Sequence, residues 1–167
     1  RREVLLAVEV VAAYRHLLLE VARCLFRNAH PDRQRVRKNF DAGLNLVLGT
    51  VERGSAAPSI ERLVEPACLM PLLPDDQDYF ESARFHVQDA IEHVSQGHPI
   101  PQAFPKDAIP SFNPFGRTLG RAEAIVVAPA GSQQGATYSK EIRKRLLLSY
   151  QSKYEDDVEL GGVVRAA

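Results

Sequence analysis

Cysteine is scarce in this chain. Only Cys24 and Cys68 occur in 167 residues, with no CxxC pair and no metal-type spacing. That argues against a zinc fold or a disulfide scaffold. Both thiols are expected reduced and buried, and a single bridge between them stays open. Net charge is also lacking: 21 basic side chains meet 21 acidic ones. The chain as a whole is therefore not drawn to nucleic acid or to anionic lipid. No apolar run approaches a membrane span, because the longest, from Val4, is cut by Glu9 and Arg15. A soluble protein, or one peripheral to a membrane, is expected. There is no internal repeat, no Ser/His/Asp arrangement, no phosphate loop and no carboxylate pair in an apolar setting. The expectation is a non-catalytic protein without a metal or a cofactor of its own.

What the chain does have is helical periodicity. Val4, Val8, Val11, Leu18, Val21 and Leu25 predict a long helix over 3–28, with a stripe wide enough for contact on more than one side. His30-Pro31-Asp32 breaks it, and Pro31 suits a first helical turn. Val36, Phe40, Leu44, Val47 and Val51 then predict a second helix to about Arg53. Ser59 could cap a shorter third helix, interrupted by Pro66 and Pro71. A fourth is expected after Pro74-Asp75-Asp76, burying Phe80, Ala83, Val87, Ile91 and Val94 and stopping at Gly97. Residues 98–120, "HPIPQAFPKDAIPSFNPFGRTLG", read as an extended segment anchored by Phe104, Phe112 and Phe115 on another surface. "AIVVA" (124–128) could be a short strand, and "GSQQG" a flexible link. A charged helix is expected over 138–159, with a thin stripe at Ile142, Leu146 and Tyr150.

Charge is segregated even though it sums to zero. Residues 1–53 carry ten Lys/Arg against six Asp/Glu, and 74–97 carry six acids against Arg84 alone. Arg33, Arg35, Arg37 and Lys38 form a dense basic run. Placed on the first turns of a second helix, they would oppose its macrodipole. A partner's carboxylates or phosphate would offset that cost, which suggests an acidic partner.

Tyr14-Arg15, followed by Leu17-Leu18 and by "RVRKNF" (35–40), resembles the signature of the LYR-motif family of small mitochondrial proteins. The separation from Tyr14 to Phe40 is close to the family spacing. The motif's leucine is replaced by Ala13, and a second arginine by Leu19. "DYFESARFHVQDAIEHVSQGHPIPQAFP" (78–105) adds to this. Its His98, Pro99, Pro101, Phe104 and Pro105 resemble a segment of one family member, an accessory subunit of respiratory complex I. Residues 41–77 have no counterpart and read as an inserted helical hairpin.

The resemblance implies an all-α protein: an antiparallel helical bundle over 1–97, an extended Pro/Phe-rich wrapping segment over 98–137, and a charged C-terminal helix and tail over 138–167. It implies a non-catalytic subunit of the complex I membrane arm, peripheral to the mitochondrial inner membrane on the matrix side. Such a subunit docks an acyl carrier protein, whose phosphopantetheine brings an acyl chain, and touches other complex I subunits. Tyr14 and Phe40 would shape a helix junction and acyl tunnel. Arg15, Arg33, Arg35, Arg37 and Lys38 would meet the carrier. His98, Pro99, Pro101, Phe104, Pro105, Phe112 and Phe115 would anchor the tail. The same residues would suit another mitochondrial LYR assembly factor or complex subunit.

Two other patterns compete. Arg23 and His30 have the Arg-x6-His spacing of some helical ribonucleases, although Cys24 stands where a polar residue is favoured. His86, Asp89 and His93 share one helical face and could hold a metal with His98. A solvated face is the expectation for them, because Val87 and Ile91 claim the buried side.

Overall fold

A computed structural model of the chain describes residues 2–33, 35–36, 38, 40–49, 60–63, 77–128 and 135–150. Helix α1 (Arg2–Ala29) forms over the predicted span, but of the predicted stripe only Leu18 and Val21 are buried among the described side chains, with Val11 and Leu25 half-buried. Its buried length begins at Tyr14 and runs through Leu17, Leu18, Val21, Ala22 and Phe26, while Val8 is exposed. Cys24 is buried and free. Cys68 lies outside the described residues.

The expected second helix is not formed. Phe40–Gly43 makes a single 3₁₀ turn, and Asn45–Leu48 is a strand, β1. It pairs antiparallel with β2 (Ile60–Leu63), in the register Leu46 opposite Arg62. The segment satisfies two periods at once. Leu44 and Leu46 alternate with Asn45, which is the strand period, while Leu44 and Val47 fall on the helical stripe. Gly43 and Asn45 weaken a helix. Two arginines of α1, Arg15 and Arg23, tie the turn down. The short third helix is also replaced, since Ile60 to Leu63 belongs to β2. Residues 50–59 and 64–76, with the Ser59 cap and both prolines, lie outside the described residues.

Helix α2 (Tyr79–Ser95) forms where the sequence pattern places it. Its cap is Asp78, a little later than the acids at 75–76, and the carboxylate accepts from the Phe80 and Glu81 N–H groups. Phe80, Ala83, Val87, Ala90, Ile91 and Val94 are buried, the single face that the spacing predicts. At its end Gly97 takes φ +83°, the Gly97 N–H donates to Val94 O, and the His98 N–H donates to His93 O. This pattern satisfies the orphan carbonyls of the last turn.

The proline-rich segment is ordered against the chain itself. Lys106–Phe112 forms a 3₁₀ helix, and Phe104, Ala108, Ile109, Phe112 and Phe115 enter the common core. Strand β3 (Ala124–Val127) pairs antiparallel with β4 (Ala136–Ser139), and β4 leads directly into α3 (Lys140–Leu148). Ser139 caps α3 through the Ile142 N–H, and Ile142, Leu146 and Leu147 are buried. Tyr150 is 44% exposed, so the expected stripe ends before it. Residues 151–167 lie outside the described residues.

Tyr138 on β4 joins these parts. Its ring lies 4.6 Å from that of Phe115 and 6.1 Å from that of Phe112. Its hydroxyl donates to the carbonyls of Phe115 (3.0 Å) and Phe112 (3.3 Å). The fully buried Arg143 donates through Nε to Asn113 O and through Nη2 to Asn113 Oδ1. A buried guanidinium needs such partners, because an unpaired one would be costly.

The all-α expectation is therefore corrected. Two antiparallel two-stranded sheets accompany three α-helices among the described residues. None of the described helices is long and apolar enough to cross a membrane.

Candidate functional site

Helix α1 turns two of its arginines toward the following segment. Arg15 Nε donates to Leu44 O at 2.9 Å, and its Nη2 donates to Asp41 O at 3.3 Å. Arg23 binds Glu20 and the Asp41 carboxylate. The expected partner-facing Arg15 is thus occupied internally, holding the 3₁₀ turn against α1. Phe40 is half-buried, with its ring 5.0 Å from Phe80 and 5.8 Å from Phe26. The Phe26 ring in turn stacks on His30 at 4.5 Å, and His30 Nδ1 donates to Phe26 O. Arg23 and His30, paired in sequence as ribonuclease candidates, are therefore both engaged in structural contacts.

The basic run has the opposite character. Arg33, Arg35 and Lys38 are exposed, and none of them meets a carboxylate among the described residues. They lie on the turn after α1 rather than on a helix, which removes the expected conflict with a macrodipole. Arg37 lies outside the described residues.

The tail anchors divide. His98 and Pro99 are exposed and Pro101 is half-buried, while Phe104, Pro105, Phe112 and Phe115 are buried. The phenylalanines anchor the segment to this chain's own helices. His93 Nδ1 lies 3.1 Å from Asp89 Oδ1, and no group of three metal-type ligands occurs among the described residues.

A cleft of about 600 Å³ opens between α1, α2 and the two hairpins; of the two residues expected at an acyl tunnel, Tyr14 lines it and Phe40 does not. Tyr14 and Leu18 come from α1, Leu46 and Arg62 from the first hairpin, Phe80 and Arg84 from α2. Phe115 and residues 125–128 close the far side. Its walls are mainly apolar, with Arg62, Glu81 and Arg84 as the charged lining groups. Arg62 lies over the Phe80 ring at 5.0 Å and pairs with Asp78 at 2.6 Å, and Arg84 pairs with Glu81. Tyr14 packs on Phe115 at 5.5 Å between ring centroids. Burial pushes its hydroxyl up to about 12, so it keeps its proton.

The two arginines also set the acidity of their partners. Burial works to raise the Asp78 carboxyl, but Arg62 and the N–H groups of Glu81 and Phe80 outweigh it together, and it titrates below its ordinary range. Hydrogen bonding to Arg84 likewise holds Glu81 down.

No protein-family model, no curated protein and no solved structure matches the chain.

Proposed function

We propose that this chain is a non-catalytic accessory subunit that docks an acidic protein partner through the exposed turn carrying Arg33, Arg35 and Lys38. The observation that carries the reading is the contrast among its arginines. Arg15 and Arg23 are satisfied within the chain, whereas the cations of the turn are exposed and have no carboxylate beside them among the described residues. Such a cluster steers an acidic partner and adds on-rate as well as affinity.

The finer part of the proposal comes from the resemblance of Tyr14-Arg15, of 35–40 and of 98–105 to LYR-motif proteins. On that basis the partner is a mitochondrial acyl carrier protein, which brings its own acyl-phosphopantetheine. The setting is the matrix-side periphery of the complex I membrane arm. The docking element proposed is a turn, because the second helix of the LYR bundle is not formed here.

Charge reversal at Arg33, Arg35 and Lys38 tests the reading. Exposed changes of this kind leave stability within about 0.5 kcal/mol. Native mass spectrometry of the purified assembly should then show the carrier lost from the variant and retained by the parent. Equal retention of the carrier by both would refute the docking surface.

A further inference from the structure

The C-terminal cap of α2 brings two imidazoles together. The His98 N–H donates to His93 O at 2.9 Å and the Gly97 N–H to Val94 O at 3.1 Å, with Gly97 as the left-handed residue. A cap of this kind sets the side chain just beyond the glycine against one in the last helical turn, often as an apolar contact. Here both positions are histidine, and the ring centroids stand 6.1 Å apart.

Each ring has a nitrogen to offer. His93 Nδ1 faces two acceptors at once, Asp89 O at 3.0 Å and Asp89 Oδ1 at 3.1 Å. Two acceptors on one nitrogen hold the proton there and leave the lone pair of the neutral ring on Nε2. A carboxylate behind a histidine in this way fixes the tautomer and ring orientation of metal-ligating imidazoles. Among the described residues the ring nitrogens of His98 have no hydrogen-bond partner. His98 is exposed and His93 is half-buried, so both rings are open to solvent. Imidazoles that share a zinc ion, with nitrogens about 2.0–2.1 Å from it, have ring centres about 5 Å apart. Rotation of the exposed His98 side chain closes the difference.

We propose that His93 and His98 bind one divalent transition-metal ion of the zinc type, with Asp89 positioning His93 and water filling the remaining coordination sites. Neutral imidazoles suit such an ion without a thiolate. The ion staples the end of α2 to the start of the proline-rich segment. The site lies at the C-terminal end of α2, whereas His30, beside the basic turn, packs on Tyr79 at the N-terminal end.

Titration of the full chain with zinc ion alone tests this, at a pH above the ordinary histidine pKa of about 6.5. One ion should bind per chain. His93→Ala and His98→Ala should each abolish that binding, while His86→Ala, two turns earlier on the helix, should leave it unchanged. Asp89→Asn should weaken it roughly 10-fold, as loss of an outer partner does. In the zinc-free form of that variant, nitrogen NMR should show His93 as a mixture of tautomers, a change that lost packing alone would not give. Circular dichroism checks the fold, and the exposed position of His98 keeps its variant folded. The proposal is overturned if zinc does not bind, if either histidine variant binds it as tightly as the parent, or if His86→Ala loses it too. It is equally overturned if Asp89→Asn changes neither the affinity nor the tautomer. The measurement contains no partner protein, so its failure and that of the docking turn are separate results.

Discussion

Two glycines with the same backbone handedness should respond differently to alanine. Gly97 and Gly116 sit at φ +83° and +72°. A side chain in that region costs about 1–2 kcal/mol. Alanine returns about 0.4–1 kcal/mol by restricting the unfolded chain. At Gly97 nothing lies within 4 Å of the added Cβ, so Gly97→Ala should cost about 1 kcal/mol net. At Gly116 the new Cβ would stand 2.7 Å from Tyr138 Cε1 and 2.9 Å from Leu119 Cδ1. Tyr138 cannot yield freely, because its ring is stacked on Phe115 and its hydroxyl is held by two carbonyls. Overpacking of this kind adds about 1–3 kcal/mol. Gly116→Ala should therefore be the worse of the two, at about 2–4 kcal/mol. Urea denaturation of both variants measures this, read at equal m values. Equal losses would refute the close packing of Tyr138 over Gly116, and with it the account of how the proline-rich segment is held.

Other positions give independent checks. Arg15→Met should cost about 1.5–3 kcal/mol in thermal or urea unfolding, since the Leu44 and Asp41 carbonyls lose a charged donor. Asp78→Asn should show a pH signature. The folded-state pKa is depressed, so the carboxylate's contribution is present above its unfolded value of about 4 and is lost as pH falls through the folded one. The stability gap between parent and variant should close as pH falls through that window, and a gap that widens there would contradict the Arg62 pairing.

Both long helices are legible in the residue pattern itself, and for one reason. Their apolar residues keep a single period over several turns, so counting alone places Val87, Ile91 and Val94 on one face of α2. The end at Gly97 is legible too, because a left-handed cap favours glycine. The basic run is visible as composition, but its setting is not, since the helix expected to carry it is replaced by a turn. Phe104, Phe112 and Phe115 are legible as anchors, while what they anchor to is this chain's own core.

The sequence alone determines α1, α2, the Ile142 and Leu146 stripe of α3 though not its start after β4, and the buried character of the phenylalanine cluster. Each of these follows from local periodicity or from apolar bulk that must leave water. Tertiary structure decides the rest. The Leu44-Asn45-Leu46-Val47 stretch suits helix and strand alike, and the choice goes to a strand that can pair with Ile60–Leu63, beside a turn gripped by Arg15 and Arg23. The cleft at Tyr14 is decided at the same level. Its walls come from segments more than a hundred residues apart, Val10 and Ala128 among them, so no local pattern could give its lining.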